Sequence, residues 1–582
     1  MPAPEPPPAH RDAIADSIEQ GKRLIRIGGD KGLSLAEQLA ERLNRLAWRT
    51  PLHGLRLQGK EPLKLVAVPD DPVLGDLARG QALLDGRIEF LGEGRAIAAL
   101  NFAKPDWSPR FATYLHSFAW LRDLSSVATR AAGAPIAEHL ARGWLAAHAG
   151  TISAPAWRPD LLGWRTLYWA AHAPLLLSST DLDYRARLLA AMARGARHLD
   201  RSADKAPAGV GRVAAWCGVV TAGLLIAGGE TRQKAGEAGL QRAIAGAVHS
   251  DGGNVQRAPA AQVEMITLLA MLREAYAARR LEPPGFVGET LALMVPALLA
   301  LLHGDKALSS WQGAGPMAAE ALAAVIEASG VRTRPLKHAR DWGYQRLSSG
   351  NTVLILDAAP PPVARLADGG CASTLAFELS DGPHRLIVNC GGARFVTARL
   401  PDKLAHGLRT TAAHSTLVVG DSNSTAIHAD GALGRGVSAV ELSRQESETM
   451  SRIEASHDGY ARRHGFVHRR QLVLSADGRE LRGEDMLLPA GRRAKAATTP
   501  FAVRFHLGPG VQASPTADGQ AAVLRLPGGT LWQFRCKGGT MAVEDSLWID
   551  GNGRPVTIQQ LVVSAAAAAG GANVSWALKR AR

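Results

Sequence analysis

The feature that most constrains the fold is a change in hydrophobic period near residue 340. Between residues 115 and 330, apolar side chains recur three and four positions apart, as in YRARLLAAMARGARHL and EMITLLAMLREAYAARR. Beyond residue 340 they alternate, as in NTVLILDA and HRRQLVLSADGRELRGEDMLL. A period near 3.6 favours helices, whereas a period of two favours half-buried strands. The sequence therefore predicts a helical half followed by a β half.

The connections in each half refine this prediction. Short connections with Gly or Pro favour antiparallel helix packing, and Asp-Gly or Gly-Gly turns favour an antiparallel sandwich of many strands. Because 582 residues exceed one ordinary core, we expect an α+β multidomain chain. Its predicted parts are a partly disordered N-terminal segment over 1–59, a helical domain over 60–330 and a β-sandwich domain over 331–575.

The charge balance suggests the kind of partner. Lys and Arg number 67 against 53 Asp and Glu, a net charge of +14, which favours an anionic partner. A proteome rich in Arg and Ala explains the charge equally well. There is no long basic run, P-loop, GxGxxG turn or GxSxG elbow, so we expect neither a nucleic-acid partner nor nucleotide or serine-hydrolase chemistry.

Signals for compartment are sparse. The N-terminus MPAPEPPPAHRDAIADSIEQ is Pro-rich and shows no secretory signal peptide. The most apolar stretch, 213–229, is shorter than the roughly 20 residues of a bilayer span, so we predict a buried helix and no transmembrane segment. Four cysteines lack metal-ligand spacing and are predicted to be core thiols: Cys217, Cys371, Cys390 and Cys536.

Three motifs carry a resemblance to a known family. DGGNVQR lies at 251–257, AAHSTLVVGD at 412–421 and ASHDGYARRHGFVHRRQL at 455–472. In this order they resemble the heparinase II/III superfamily of polysaccharide lyases. The resemblance implies an incomplete (α/α) toroid stacked on β-sandwich layers, with an acidic polysaccharide in the cleft between them. It also implies β-elimination, in which a group neutralises a uronate carboxylate while a base removes the C5 proton.

The resemblance assigns catalytic roles to Asn254, Arg257 and His414. Enolate-like charge develops on the uronate carboxylate, and a paired amide and guanidinium can stabilise it. In the family, a His or Asn followed three residues later by an acid or Arg occupies the place of Asn254 and Arg257. A His at position 414 implies proton transfer or metal coordination at the interface of the halves. The alternatives are a turn Asn, an Arg on surface carbonyls and a buried His bonded to backbone.

Two further implications concern a metal and a tyrosine. Some relatives hold a structural zinc, for which His414, Asp430 and His457 are the candidates here, with Asp421 as another carboxylate. Elimination itself implies no cofactor. Characterised members also place a catalytic Tyr in the helical half, but the corresponding region, LLHGDKALSSWQGAG, contains none. Either His303 or His414 transfers the protons, another Tyr enters from elsewhere, or the elimination is altered or lost.

Aromatic and basic residues suggest a surface for sugar rings. Trp faces stack on sugars while Arg binds carboxylate or sulfate, although core packing explains the same helical spacing. Two segments, 111–124 and 157–172, provide the candidate substrate-binding residues: His116, Trp120, Trp157, Arg158, Trp164, Arg165 and Tyr168.

The function predicted from these residues is cleavage of a uronate-containing acidic polysaccharide by β-elimination. The alternative is a non-catalytic envelope protein that binds anionic glycans with the same fold. The family implies the periplasm or cell envelope, whereas the absence of a visible export signal leaves the cytoplasm open. The sequence leaves the polymer and the oligomeric state open.

Overall fold

The computed structural model describes residues 23–26, 48, 50–59, 64–363, 366, 369–392, 400–491 and 498–581. Most of the predicted N-terminal segment, 1–59, lies outside the described residues. In the part of the chain that is described, no helix is long and apolar enough to cross a membrane. All four cysteines are free and buried, which confirms them as core thiols.

The helical half consists of amphipathic and fully buried helices joined by short turns and by longer loops, such as 246–258 and 301–318. Several begin at a side chain that accepts a backbone hydrogen bond from the first turn, such as Ser108, Thr129 and Asp181. The helices are α1 (Pro51–Arg56), α2 (Leu77–Leu84), α3 (Pro109–Ser117), α4 (Trp120–Ser125), α5 (Arg130–His148), α6 (Pro159–Ala171), α7 (Ala173–Leu176), α8 (Leu182–Ser202), α9 (Val210–Leu225), α10 (Glu230–Ala245), α11 (Pro259–Ala278), α12 (Gly285–Ala300) and α13 (Ala319–Ser329).

The first strands of the chain are short. They are β1 (Arg23–Arg26) and the hairpin β2 (Arg87–Phe90) and β3 (Glu93–Ala96). The β half also contains two short helices, α14 (Asp402–Gly407) and α15 (Ala461–His464). Its strands are β4 (Tyr344–Ser349), β5 (Thr352–Asp357), β6 (Phe377–Asp381), β7 (His384–Val388), β8 (Leu417–Val419), β9 (Ala439–Glu446), β10 (Met450–His457), β11 (Phe466–Ser475), β12 (Glu480–Pro489), β13 (Thr499–Leu507), β14 (Gln512–Pro515), β15 (Ala521–Arg525), β16 (Leu531–Lys537), β17 (Thr540–Ile549), β18 (Pro555–Ala567) and β19 (Ala572–Arg580).

Two large antiparallel sheets form the sandwich. The nine-stranded sheet has the order β1-β9-β10-β11-β12-β19-β16-β15-β14, so a strand from the N-terminal segment completes one edge. The eight-stranded sheet has the order β17-β18-β13-β7-β6-β5-β4, with β8 paired to β13. Burial alternates strictly along β11, which is the period-two pattern predicted from the sequence. The predicted order of a helical half and an antiparallel sandwich is confirmed.

The sandwich interior also contains a cluster of polar side chains, which the alternation of inward and outward residues along β11 places inside. His468 and Arg470 are inward positions of β11 and are at most 1% exposed. Both contact the buried carboxylate of Asp485: His468 Nε2 and Arg470 Nε each lie 2.8 Å from Oδ1. The carboxylate stabilises the two buried donors because each has a hydrogen-bond partner there.

The two halves meet where the DGGNVQR turn contacts the segment before β4. Gly253 lies against the indole of Trp342, and a Cβ at this glycine would be 2.1 Å from Trp342 Cγ. Trp342 is fully buried and packs edge-on against Tyr344, with ring centroids 5.1 Å apart. The glycine is therefore required for close approach of the halves.

We expect Gly253→Ala to lower the free energy of unfolding by about 2–3 kcal/mol, because the added methyl overpacks the contact with Trp342. The matched control is Gly288→Ala, on an exposed position of α12 where a Cβ meets nothing within 4 Å. It should raise stability by about 0.5–1 kcal/mol through helix propensity. Urea denaturation followed by tryptophan fluorescence measures both changes. Equal effects of the two variants would contradict this account of the junction.

Candidate functional site

Asn254 organises the turn that leads into α11. The residue is 1% exposed. Its Nδ2 donates to the carbonyl of Ala258 at 2.9 Å and to Oε1 of Gln262 at 3.0 Å. Its Oδ1 is buried and finds no hydrogen-bond partner within the described part of the chain. The amide thus holds the start of the helix with its donors and leaves one buried acceptor unused.

Arg257 joins the helical half to the β half. Its backbone adopts φ +53°, a left-handed conformation that is uncommon for a residue other than glycine. Nε donates to the carbonyl of Trp342 at 2.8 Å, Nη1 to that of Pro360 at 2.7 Å, and Nη2 to Oδ1 of Asp357 at 2.6 Å. The guanidinium also lies 4.9 Å from the ring centroid of Tyr344. All three nitrogens are therefore directed to protein acceptors.

Asp357, the last residue of β5, balances the charge of Arg257. It is fully buried, and its second oxygen accepts from Ser373 Oγ at 2.7 Å. Ser373 Oγ in turn accepts from Nε2 of Gln312 at 3.0 Å, in the loop where the family resemblance expects a Tyr. Burial lowers the pKa of Arg257, but the adjacent Asp357 outweighs this and raises it. The guanidinium of Arg257 is therefore charged throughout the ordinary pH range.

His414 lies in the same junction. It follows a short 3₁₀ turn, Thr411–Ala413, and its Nδ1 is 2.7 Å from the carbonyl of Thr410. Since a carbonyl only accepts, Nδ1 carries the proton and Nε2 the lone pair. Burial lowers the pKa of His414, although the Thr410 carbonyl and the charges of Asp357 and Glu378 act against this. The imidazole is therefore neutral at pH 7. The amide of the next residue, Ser415, donates to Oδ1 of Asn389, whose Nδ2 donates to Glu378.

His303, the other candidate for proton transfer, is engaged at both ring nitrogens. Nε2 lies 3.0 Å from Oε2 of Glu378, and Nδ1 lies 3.1 Å from Oγ of Ser380. The side chains of His303 and Glu378 are fully buried. The other oxygen of Glu378 accepts from the backbone of Ser310 at 3.0 Å and from Asn389 Nδ2 at 3.1 Å. This cluster holds the halves together.

The six tyrosines of the chain are all buried, none more than 5% exposed. Tyr344 is the one that contacts Arg257, and its hydroxyl donates to the Arg257 carbonyl at 2.8 Å. Burial raises the pKa of Tyr344 well above its ordinary value. A tyrosine that removes a proton needs an accessible hydroxyl and a lowered pKa. Tyr344 has neither.

The predicted substrate-binding residues are mostly interior. Five are at most 5% exposed: His116, Trp120, Trp157, Arg165 and Tyr168. Trp164 is half-buried and stacks on Tyr168 at 5.6 Å between ring centroids. Arg158 is exposed over 42% of its side chain and pairs with Asp160. Glycan contact by this segment stays a prediction, and Arg158 and Trp164 are the two within reach of solvent.

The zinc set suggested by the resemblance is not assembled. Among the described residues, no group of three or more His, Cys, Asp or Glu could hold a metal ion. Asp430 lies in an exposed loop and accepts from the backbone of Ala432 at 3.0 Å. His457 is buried, with Nδ1 accepting from the backbone of Gly459 and Nε2 3.3 Å from His468. His414, Asp430 and His457 instead belong to separate hydrogen-bond environments.

Sequence reasoning missed Asp357, Ser373, Gln312 and Glu378, which complete the junction. The only local signal was an acidic residue among apolar strand residues: Asp357 at the end of TVLILD and Glu378 inside LAFEL. A carboxylate at a buried strand position requires a cation or several donors. Which donor meets it depends on packing between the halves, so the sequence does not supply the pairing.

A helical half stacked on an antiparallel sandwich, with polar residues at their junction, defines the class of proteins with a polysaccharide-lyase fold. A model of the heparinase II/III-like C-terminal domain matches residues 331–577. FtsZ-localized protein C of Caulobacter vibrioides (strain NA1000 / CB15N) is 31% identical over 548 residues, covering 91% of this chain and 92% of that protein. The chain belongs to the heparinase II/III-like superfamily.

Solved structures agree on the fold. A heparinase III structure matches with a TM-score of 0.69 at 13% identity, covering 95% of this chain and 93% of the other. Heparan sulfate lyase from Pedobacter heparinus matches with a TM-score of 0.57 at 15% identity, covering 94% and 88%. Chondroitin AC lyase from Streptomyces coelicolor A3, in complex with chondroitin sulphate, gives 0.52 at 13% identity, covering 93% and 82%. The predicted (α/α) toroid and β-sandwich are thereby confirmed.

Proposed function

We propose that this protein binds an acidic polysaccharide at the junction of its halves and does not cleave it. The observation that carries the proposal is the buried ion pair of Arg257 with Asp357, 2.6 Å long. Neutralising a uronate carboxylate requires a cation with unused donors. Arg257 donates from every nitrogen and already has an internal counterion, so it is poorly suited to that task.

Two further observations support binding without cleavage. Every tyrosine of the chain is buried, so none is accessible to a polymer as a base. The relative that is 31% identical is named for its localisation with FtsZ and not for an enzymatic activity. The acidic glycan class is supported by the fold shared with heparan sulfate and chondroitin lyases and by the net charge of +14.

We assign glycan contact to the loops that border His414, here called the rim: 402–409, 426–436 and 461–464. The first loop leads directly into the 3₁₀ turn before His414. The Thr411 amide of that turn donates to Asn423 Oδ1, and the adjacent Ser422 Oγ lies 2.8 Å from His464 of the third loop. Asp402 and Asp430 lie among the basic groups, so the rim is mixed in charge but predominantly basic. Its exposed basic side chains are Lys403, His406, His428, Arg435, Arg462 and Arg463.

We expect the double change Arg462→Ala and Arg463→Ala to weaken glycan binding about three- to tenfold, because exposed ion pairs contribute up to about 1 kcal/mol each. Arg525→Ala is the control, an exposed arginine on β15 near the opposite edge of the nine-stranded sheet. Calorimetric titration with heparan sulfate and chondroitin sulfate oligosaccharides measures the change. If Arg525→Ala weakened glycan binding equally, the rim would not be the binding surface.

A second candidate is β-elimination, favoured by the fixed tautomer of His414, although this residue is only 2% exposed and as buried as the tyrosines. Its Nδ1 is fixed on the Thr410 carbonyl, and its Nε2 has no hydrogen bond to any described residue. A neutral imidazole held in one tautomer suits removal of the C5 proton. In this mechanism Asn254 and Arg257 stabilise the enolate-like carboxylate, and the uronate must share Arg257 with Asp357.

One assay separates the candidates. Purified protein is incubated with heparan sulfate, chondroitin sulfate, alginate and bacterial uronate polymers, while ultraviolet absorbance reports new unsaturated uronate ends. Binding with a flat trace supports the non-cleaving protein. A rise in absorbance that His414→Gln abolishes, with folding retained, establishes the lyase. Fractionation of the native cell then tests the envelope location, which rests only on the family.

A further inference from the structure

Arg165, in α6, is a buried cation without a carboxylate partner. The residue is 1% exposed, and Nη1 donates to the carbonyls of His116 at 2.9 Å and Ala156 at 2.7 Å. Nε and Nη2 are buried and have no hydrogen-bond partner within the described part of the chain. One edge of the guanidinium is therefore satisfied by carbonyls, and the opposite edge is open.

The open edge is the one that other arginines of this chain use to bind carboxylates. Arg122 donates from Nε and Nη2 to the two oxygens of Asp71, at 2.8 and 2.7 Å. Buried Arg470 does the same with Asp485, at 2.8 and 3.0 Å. Among the described arginines, Arg165 alone has both atoms of this edge buried and unpartnered. Its geometry is that of a bidentate anion site.

The surroundings of Arg165 supply donors and aromatic walls but no acid. The guanidinium carbon lies 4.3 Å from the ring centroid of Trp144 and 5.6 Å from that of Trp169. Trp169 Nε1 and His148 Nε2 are also buried without partners. Burial lowers the pKa of His148 to about 4, so this imidazole is neutral at pH 7.

Arg165 itself keeps its charge. Burial lowers its pKa to about 9, so the guanidinium is still protonated at neutral pH. A charge removed from water requires a compensating charge or a complete set of hydrogen bonds. Arg165 has neither from the protein residues described. The ligand that completes this site must therefore accept hydrogen bonds and carry negative charge.

We propose that the open edge of Arg165 binds a small monovalent inorganic anion of the chloride class. A halide accepts from Nε and Nη2 together and supplies the missing charge. Polysaccharide is excluded because Trp144, Trp157 and Trp169 enclose the site and are themselves at most 3% exposed. The site is independent of the glycan surface.

Crystals soaked in bromide test the proposal directly. We expect an anomalous peak at hydrogen-bond distance from Nε and Nη2 of Arg165. Water density at that position with no bromide signal would overturn the proposal. This measurement uses the unaltered protein, so it does not depend on any variant folding.

Thermal unfolding provides the second test. At constant ionic strength, replacing gluconate by chloride or bromide should raise the Tm of the natural protein by about 1–3 °C. Arg165→Met should remove the dependence on halide. Arg346→Met is the matched control, since burial lowers the pKa of Arg346 to about 10 and its Nη1 donates to the carbonyls of Ala300 and Leu302. An unchanged halide effect in Arg165→Met would also overturn the site.

Discussion

Replacing Asp357 by Ala should lower the free energy of unfolding by about 3–5 kcal/mol, because the change leaves Arg257 as an uncompensated buried charge. The carboxylate is fully buried and accepts from both Arg257 Nη2 and Ser373 Oγ. Its loss breaks a network that connects the helical half to the β half. Chemical denaturation followed by circular dichroism measures the change.

Two further variants test whether the loss of stability comes from the unpaired charge of Arg257. Glu480→Ala removes the partner of Arg482, whose side chain is 68% exposed, and should cost less than about 1 kcal/mol. The double change Arg257→Met and Asp357→Leu should be less destabilising than Asp357→Ala alone, since it removes both charges. If Asp357→Ala were as mild as Glu480→Ala, Arg257 would not depend on its counterion. Arg257 could then pair with a uronate carboxylate instead of Asp357.

Acid should destabilise the protein well before its carboxylates titrate. Burial lowers the pKa values of His116, His198 and His506 to about 3, from an ordinary value of 6.5. Below pH 6.5 these histidines are protonated in the unfolded chain but stay neutral in the folded chain. The free energy of unfolding therefore falls as pH decreases below 6.5. At pH 5.5 each histidine costs on the order of 1 kcal/mol, and the three together a few kcal/mol. Urea denaturation at pH 7.5, 6.5 and 5.5 measures this loss.

The contacts of His506 illustrate why such a buried imidazole stays neutral. His506 lies 3.0 Å from the carbonyl of Ala412 and 2.8 Å from Oγ of Ser546. His506→Gln should retain these contacts in part and reduce the slope of stability against pH by about one proton. His406→Gln, at an exposed position of α14, should leave the slope unchanged. A slope that neither variant alters would show that other groups cause the acid sensitivity.

The Asp357 result bears on the proposed function. An ion pair closed inside the junction keeps Arg257 occupied, in agreement with the proposed binding without cleavage. An elimination site instead requires charged and titrating groups that face the substrate. His414 is the one candidate that keeps an unused nitrogen near the junction. The cleavage assay with His414→Gln therefore decides whether that nitrogen performs chemistry.

Periodicity and turn residues determined the architecture of this protein. Apolar spacing changes from helical to alternating between α13 and β4, and the structure follows this change. Local chemistry decides such features because propensity, capping and side-chain period act within a few residues. The DGGNVQR motif was likewise recognisable as a helix entry from its glycines. The position of Asn254 before α11 follows from the same local rules.

Only the tertiary structure decided what the candidate residues contact. Arg257 and Asp357 are 100 positions apart, and their pairing depends on how the two halves pack. The spacing of the aromatic residues in segment 157–172 is compatible with both a glycan surface and the core, because i,i+4 spacing is the same in both cases. Packing placed Trp157 and Arg165 inside. A sequence states which groups carry charge or aromatic surface, but burial and long-range partners fix whether those groups remain available to a ligand.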